Sequence, residues 1–230
     1  MQLNAAPFYV GIDLAWAPGN PSGVAVLDAK AAFVEYRYAE TLDAVLGIVM
    51  KYPGCAIGVD APLVIPNAEG HRPNEREFLK TFSRYGLGVH AANTVLFAKR
   101  FTRYTGFELY ERLSAGGYDF AYGNLFEVYP HATILALFNG GRVLRYKASV
   151  PKSERTAALK RLQTSLFEVI TDANTYRTDI DGLKGKALKA QEDFLDALVC
   201  AYTLYHCSAN ACLCFGDDTV GKLVTPIPAR

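Results

Sequence analysis

The sequence predicts an α/β fold with a mixed sheet of five strands, three antiparallel strands followed by parallel ones, flanked by helices. Three short β-prone segments fill the first forty residues with only short loops between them, which is typical of an antiparallel meander. After them, a helical pattern leads into a wholly apolar segment over residues 55–59. Strands that follow helices in this way form parallel sheets whose two faces are both buried.

The first elements are predicted from turn residues and from the period of the apolar positions. The strands cover residues 8–15, 23–27, 32–38 and 55–59, and the helix covers residues 42–51. A cluster of turn residues over 18–23 separates the first two strands. Thr41 is suited to cap the helix, and Pro53 and Gly54 end it. The order of these elements is therefore β-β-β-α-β.

Residues 66–120 differ in composition from the segments on either side. Glycines and prolines interrupt short helical patterns there, and residues 72–112 contain eight Lys or Arg against four Asp or Glu. We expect a helical insertion over the core, within one domain that covers residues 1–230. The remaining predicted elements are a strand over 125–129, helices over 132–137, 153–170 and 187–206, and a short strand over 212–215.

The composition limits the class of protein. The chain has 230 residues, half of them hydrophobic, and a formal net charge of +1. A chain of this length buries roughly 70% of its unfolded surface, and its balanced charge excludes a polycationic tail protein and an acidic disordered one. Because neither a membrane span nor a signal peptide is recognisable, we expect a cytoplasmic protein that does not act at a membrane. In that compartment we expect the five cysteines to be free thiols.

Single acidic residues interrupt several apolar segments. The five candidates are Asp13 in the first strand, Asp60 at the end of the fourth, Glu127 in the fifth, and Asp193 and Asp196 on one face of the last helix. A buried carboxylate costs several kcal/mol unless a partner compensates it, so we interpret these five as catalytic candidates. Other roles stay open for some: Asp60 could cap a turn, Glu127 could pair with an arginine of the insertion, and Asp193 suits its helix dipole.

Adjacent strand ends and a facing helix can bring several of these acids within a few ångströms of one another. Carboxylates without neighbouring thiolate or imidazole groups are suited to Mg²⁺ or Mn²⁺. We therefore predict that a cluster of these carboxylates binds a divalent metal. Two such ions, about 3.5–4 Å apart, would clamp a phosphodiester for hydrolysis.

Basic residues near the insertion are candidates for substrate binding. They are Arg72, Arg76, Lys99, Arg100, Arg103 and His131. The first two lie one helical turn apart and suit a phosphate, and residues 99–104 interleave cations with aromatic rings as single-strand binders do. His131 could be a general base, and the basic stretch over 142–161 could follow a phosphate backbone. Solvated surface positions explain Arg72 and Arg76 equally well, and a histidine in the position of His131 is more often simply a helix-start residue.

These motifs together resemble the ribonuclease H-like superfamily. The segment D-x-x-D-A-L over 193–198 is similar to the acidic helix of RuvC-type Holliday-junction resolvases. The segments GIDLAW, IGVDAPL, GHRPNER, FEVYP and DALVCAY resemble the domain-of-unknown-function family 429, whose members are described as predicted RNase H-like nucleases. The resemblance runs from about Tyr9 to Pro226. Two departures are that the resolvases carry Glu on the fourth strand and that the acid of the first RNase H helix has no counterpart here.

The resemblance implies that Asp13 bridges the metals and that Asp60 and Asp196 complete the ligand set. On this reading we expect Glu127 and Asp193 to support the three ligands. We accordingly expect a metal-dependent nuclease or phosphodiesterase that acts on DNA or RNA. An actin- or hexokinase-like ATP-dependent phosphotransferase shares the same order of early elements and is one alternative. The other is a catalytically inactive module that binds nucleic acid. Exposed aromatic residues of the insertion leave room for a homodimer.

Overall fold

A computed structural model describes residues 1–147 and 150–229, and a single mixed sheet runs through it. The strands are β1 (Phe8–Asp13), β2 (Ser22–Asp28), β3 (Phe33–Ala39), β4 (Ala56–Val59), β5 (Leu125–Val128), β6 (Cys212–Phe215) and β7 (Leu223–Pro226). They lie side by side in the order β3-β2-β1-β4-β5-β7-β6. The pairs β1–β2, β2–β3 and β6–β7 are antiparallel, and β1–β4, β4–β5 and β5–β7 are parallel.

The predicted α/β class and mixed sheet are confirmed, but the predicted number of five strands is wrong, because the sheet has seven. Residues 212–226 form the hairpin β6–β7, and β7 pairs in parallel with β5. The pairing satisfies backbone groups that would otherwise stay open along the edge of β5. The sequence predicts the strand β6 but not β7. Each of the two has only four residues, and so short an apolar segment does not reveal its pairing partner in the sequence.

The helices agree with the predicted pattern in most places. They are α1 (Leu42–Val49), α2 (Pro73–Phe82), α3 (Thr94–Arg100), α4 (Thr105–Ala115), α5 (Pro130–Thr133), α6 (Lys152–Val169) and α7 (Gly185–Ala209). The Thr41 side chain caps α1 by accepting a hydrogen bond from the backbone of Ala44 at 3.1 Å. Helix α5 continues as a π-helical turn over Ile134–Phe138. Among the residues described, no helix combines the length and the apolar character that a bilayer crossing needs.

Alternation along the central strands divides the core into two layers. Val10 and Ile12 of β1 point to the layer of α1 and α4, together with Val24 of β2 and Ile57 of β4. The other face of the sheet packs against α6 and α7. Since successive side chains of a strand point to opposite faces, Asp13 lies on the same face as Gly11, toward α7.

Helix α7 contacts the sheet at two neighbouring glycines. Gly11 of β1 and Gly58 of β4 are register partners. A Cβ on Gly11 would lie 2.0 Å from the carbonyl oxygen of Ala197, and one on Gly58 would lie 3.1 Å from that of Cys200. Only glycine at these positions lets the helix backbone rest directly on the strands. This close approach places Asp196, one residue before Ala197, against the strand ends.

One cysteine pair departs from the expectation of free thiols. Cys207, near the end of α7, and Cys212, in β6, form a disulfide with their Cα atoms 5.5 Å apart. The chain reverses direction between helix and strand within the residues that separate them, and this brings the two sulfurs together. The reversal depends on the β6–β7 hairpin, which the cysteine spacing does not show. Cys55, Cys200 and Cys214 are free.

Candidate metal centre

Three carboxylates meet where the ends of β1 and β4 face α7. Asp13 ends β1, Asp60 directly follows β4, and the backbone N–H of Asp60 donates to the carbonyl of Ile12 at 2.8 Å. One oxygen each of Asp13, Asp60 and Asp196 lies within 4.8 Å of the other two. Ligands of one octahedral ion with bonds of about 2.1 Å lie roughly 3.0 Å apart when adjacent and roughly 4.2 Å apart when opposite, so small side-chain movements would let the three carboxylates share one ion. These hard oxygen donors therefore fit Mg²⁺ or Mn²⁺.

Burial and mutual repulsion govern the charge of this triad, by which we mean Asp13, Asp60 and Asp196. Burial, and next the charge of Asp196, holds the pKa of Asp13 well above its usual range. Burial raises the pKa of Asp60 to about 7, although the Lys147 ammonium acts against the rise. Burial likewise raises the pKa of Asp196 against the effect of Lys147. The triad is thus an unfavourable cluster of like charges that a bound cation would stabilise.

In EDTA, the free energy of unfolding should fall as the pH rises from about 5 to about 8. The pKa of Asp60 is about 7 in the folded chain and about 4 in an unfolded one, so between these two values the folded state holds a proton that the unfolded state has released. Above pH 7 the folded state releases this proton too, and the free energy of unfolding falls no further. The total decrease is about 4 kcal/mol at most.

Urea unfolding at pH 5, 6, 7 and 8 measures this dependence. Asp60→Asn should flatten it, and saturating Mn²⁺ at pH 8 should restore the stability of the wild-type chain. A wild-type stability that is constant over this range in EDTA would contradict the raised pKa of Asp60.

A loop segment over residues 143–147, which we call the strap, reaches into the cluster. The Tyr146 hydroxyl donates to Oδ1 of Asp196 at 2.7 Å, and Lys147 Nζ donates to Oδ2 of the same carboxylate. Lys147 Nζ also lies 3.4 Å from Oε1 of Glu192. Arg155 of α6 holds the strap by donating to the Tyr146 carbonyl at 3.2 Å and to Oε2 of Glu192 at 2.7 Å. Both oxygens of Asp196 therefore accept a hydrogen bond from the strap.

Tyr146, Lys147 and Glu192 were not among the residues predicted for the site from the sequence. Lys147 was counted only as one member of a basic stretch, and Glu192 stands directly before Asp193 in the helix. An acid on the buried face of a long helix, one turn before Asp196, was an available signal for Glu192. No local pattern shows that the strap folds back over α7.

Asp193 lies beside the triad but has its own partners. It accepts a hydrogen bond from the Tyr38 hydroxyl at 3.0 Å and forms an ion pair with Lys189. A cleft of about 370 Å³ opens to solvent here, and its lining includes Asp13, Trp16, Tyr38, Lys189 and Asp193. The cleft gives a solute access to the carboxylate of Asp13.

Glu127 and Arg72 are engaged with each other. Two guanidinium nitrogens of Arg72 donate to the two oxygens of Glu127, both at 2.8 Å, and the backbone of Leu63 donates to Glu127 at 2.7 Å. The side chains are 2% and 1% exposed, and Arg72 also pairs with Glu75 at 2.9 Å. This is the arginine pairing that the sequence analysis kept open beside a catalytic role for Glu127. It leaves Arg72 with no free face for a phosphate in solution.

The other predicted substrate contacts lie apart from the triad or are buried near it. Arg76, Lys99, Arg100 and Arg103 are exposed, and Arg76 donates to the carbonyl of His71 at 2.6 Å. They form a surface of the insertion and not part of the carboxylate cluster.

His131 packs beside the strap. Its ring lies between those of Tyr129 and Tyr146, with centroid separations of 5.4 and 4.8 Å. Burial, and next the Lys147 charge, lowers its pKa to about 4, so the imidazole is neutral at physiological pH. Its Nδ1 atom is buried without a hydrogen-bond partner among the residues described.

Comparison with known proteins identifies a family. No curated protein and no solved structure matches the chain. A family model described as protein of unknown function, DUF429, matches residues 11–220. The matched range contains the triad, the strap and both glycines on which α7 rests. This match covers most of the chain, which therefore belongs to the DUF429 family.

Proposed function

We propose that this protein is a divalent-metal-dependent nuclease or phosphodiesterase with an RNase H-like core. The observation that carries the proposal is the convergence of Asp13, Asp60 and Asp196, whose oxygens lie within 4.8 Å of one another. Three buried or half-buried acids around one point are costly to the fold, and such costs are concentrated at functional sites. An open cleft beside Asp13 supports the proposal, because a reacting phosphodiester needs access to the centre.

The strand order supports the RNase H-like part of the proposal. The first five strands lie in the order β3-β2-β1-β4-β5. Asp13 lies at the end of β1, and Asp60 directly follows β4. This is the arrangement that the sequence resemblance implied for that superfamily. A shared fold supports the chemistry only through the site, so the carboxylates remain the main argument.

The residues of the centre have separable tasks in this proposal. A bound Mg²⁺ or Mn²⁺ would act as a Lewis acid toward the phosphate and lower the pKa of water. The triad holds the ion, and the hydrogen bonds from Tyr146 and Lys147 fix the orientation of the Asp196 carboxylate. Neutral His131 supports the ring of Tyr146 by packing against it.

A basic groove beside the strap supports a nucleic acid as the substrate. The groove has a volume of about 670 Å³, and its lining includes Arg142, Arg145 and Arg161 with one acid, Glu154, among the residues described. All three arginines are exposed. Because two residues of chain span at most about 7 Å, Arg145 lies close to Lys147 and therefore to the triad. We propose that one strand follows this groove and that its phosphate reaches the triad beside the strap.

Arg145→Ala should weaken binding of a single-stranded oligonucleotide in EDTA and reduce the slope of log K against log salt by about 1. A phosphate contact contributes mainly through counterion release, so the loss should be similar for different sequences. Fluorescence anisotropy at several salt concentrations measures both quantities. Arg84→Ala, which changes an exposed arginine of the insertion that contacts Tyr85, is the matched control and should change neither. An unchanged slope for Arg145→Ala would remove the groove from the proposed substrate path.

The experiment for the function itself combines binding and hydrolysis. Labelled single-stranded DNA, duplex DNA, a four-way junction and RNA are incubated with the protein in Mn²⁺ and in EDTA. We expect cleavage of at least one substrate that depends on Mn²⁺. Oligonucleotide binding in EDTA without cleavage in Mn²⁺ would indicate a binding module instead. Thermal stabilisation by ATP and Mg²⁺, again without cleavage, would indicate a phosphotransferase.

A further inference from the structure

We propose that Lys147 takes the place of a second divalent cation in this centre, so that the protein without substrate binds one Mg²⁺ or Mn²⁺ per chain. The inference rests on the proposed function, since it concerns the metal of the same site. One ion per chain differs from the two metal ions that we predicted from the sequence.

Lys147 is a fixed part of the cluster and not a freely moving surface lysine. Its Nζ atom contacts Asp196, lies 3.4 Å from Glu192, and is 5.0 Å from the centre of the Tyr146 ring. The side chain is 33% exposed, whereas those of Asp196 and Glu192 are 0% and 4% exposed. The neighbouring residue Tyr146 is held by its hydrogen bond to Asp196 and by the hydrogen bond that its carbonyl accepts from Arg155. The ammonium therefore has a defined position against the carboxylates.

The carboxylate of Asp196 can accept a hydrogen bond from Lys147 and ligate a metal ion at the same time. A carboxylate offers about four lone-pair positions on its two oxygens. The strap uses one on each oxygen, through Tyr146 and through Lys147. Each oxygen therefore keeps a lone-pair position, and one of the two oxygens lies within 4.8 Å of an oxygen of Asp13 and of Asp60. An ion bound by the triad and the Lys147 ammonium thus contact one carboxylate together, and the lysine need not leave.

The charges of the cluster balance with one ion. Five carboxylates, Asp13, Asp60, Glu192, Asp193 and Asp196, face three cationic side chains, Lys147, Arg155 and Lys189. Two negative charges remain, and a single divalent ion neutralises them. A second ion would add two positive charges beside the Lys147 ammonium in a largely buried site, where like charges repel strongly. The site is therefore complete with one ion and the lysine.

The test is the stoichiometry of Mn²⁺ binding to the whole chain at pH 8, with Mn²⁺ alone as the probe. Isothermal titration calorimetry and the loss of the free Mn²⁺ electron paramagnetic resonance signal both report the number of ions. We expect one ion for the wild type and two for Lys147→Met, which removes the charge but keeps most of the apolar stem. Lys147→Arg keeps a cation and should bind one ion. Lys189→Met removes the same charge from a lysine that pairs with Asp193 and Glu192 and leaves Lys147 on Asp196. It should also bind one ion, because the position of the Lys147 ammonium, and not the total charge, excludes a second ion.

Each outcome decides between the two proposals. Two ions in the wild type, or one ion in a folded Lys147→Met chain, would overturn the role of Lys147 and leave the metal-dependent function intact. No Mn²⁺ bound by the wild type would overturn both proposals at the metal centre. If Lys147→Met does not fold, Lys147→Gln takes its place. Two bound ions in that variant would support the role of Lys147, and one ion would overturn it.

Discussion

Asp13→Asn should abolish metal-dependent hydrolysis, with a loss of at least about 10³-fold, and leave the chain folded. The substitution keeps the size of the side chain but removes one of three negative ligands, and a catalytic metal is worth several kcal/mol of transition-state stabilisation. In EDTA at pH 8 the free energy of unfolding should rise, because burial, and next the charge of Asp196, raises the pKa of Asp13 and so makes its charged form unfavourable. Initial rates in saturating Mn²⁺, calorimetric Mn²⁺ affinity and urea unfolding measure the three effects.

The matched control for Asp13→Asn is Asp43→Asn. Asp43 is an exposed acid in the first turn of α1 and pairs with Arg112 at 2.6 Å, so its loss should leave rate and metal affinity unchanged. Full activity of Asp13→Asn would remove the triad from catalysis. A loss of several kcal/mol of stability in EDTA would instead make Asp13 a structural hydrogen-bond acceptor.

Glu127→Gln should destabilise the fold by about 3–5 kcal/mol. The carboxylate of Glu127 receives two hydrogen bonds from Arg72, and both side chains are almost fully buried. Neutralising it leaves the Arg72 guanidinium with Glu75 as its one remaining charged partner among the residues described. Breaking a buried ion pair by removing one partner carries this cost because the other charge stays in a medium of low dielectric constant. The midpoint and slope of urea unfolding give the change.

Glu108→Gln is the control for Glu127→Gln, because Glu108 pairs with the exposed Arg103. That change should alter stability by at most about 1 kcal/mol. Under conditions where Glu127→Gln is folded, its Mn²⁺ stoichiometry should equal that of the wild type, since Glu127 is not one of the three converging carboxylates. A stable Glu127→Gln chain that has lost hydrolysis would instead support the catalytic role that the sequence pattern suggested.

The order of most elements follows from local sequence alone. Continuous β-prone segments between turn residues predict β1 to β3, and the apolar segment before Asp60 predicts β4. These signals are reliable because a strand that is buried on both faces leaves a continuous apolar segment in the sequence. A further local signal was present but unused: G-x-D occurs at 11–13 and again at 58–60. In both cases the glycine and the acid share the face toward α7, and the glycine lets the helix approach.

The candidate triad was predictable for the same reason. A carboxylate inside an apolar strand or helix is unusual whatever the position of that element in the fold. The carboxyl ends of parallel strands also meet at one edge of a sheet, so acids at these ends come close together. Asp13, Asp60 and Asp196 are therefore visible without knowledge of their distances. The residues that surround them were not visible in this way.

Only the tertiary structure decided which partners the acids have. Glu127 and Arg72 are 55 residues apart in the chain, and Lys147 and Asp196 are 49 residues apart. The strap has no period of its own, so its path depends on contacts with α6 and α7 that form only in the folded protein. The hairpin β6–β7 and the disulfide between Cys207 and Cys212 depend on the same kind of long-range packing. The sequence by itself thus determined the fold class and the acids at the centre, because both leave local patterns. Their partners and the position of Lys147 were decided by folding, because ion pairs between distant segments leave no local pattern.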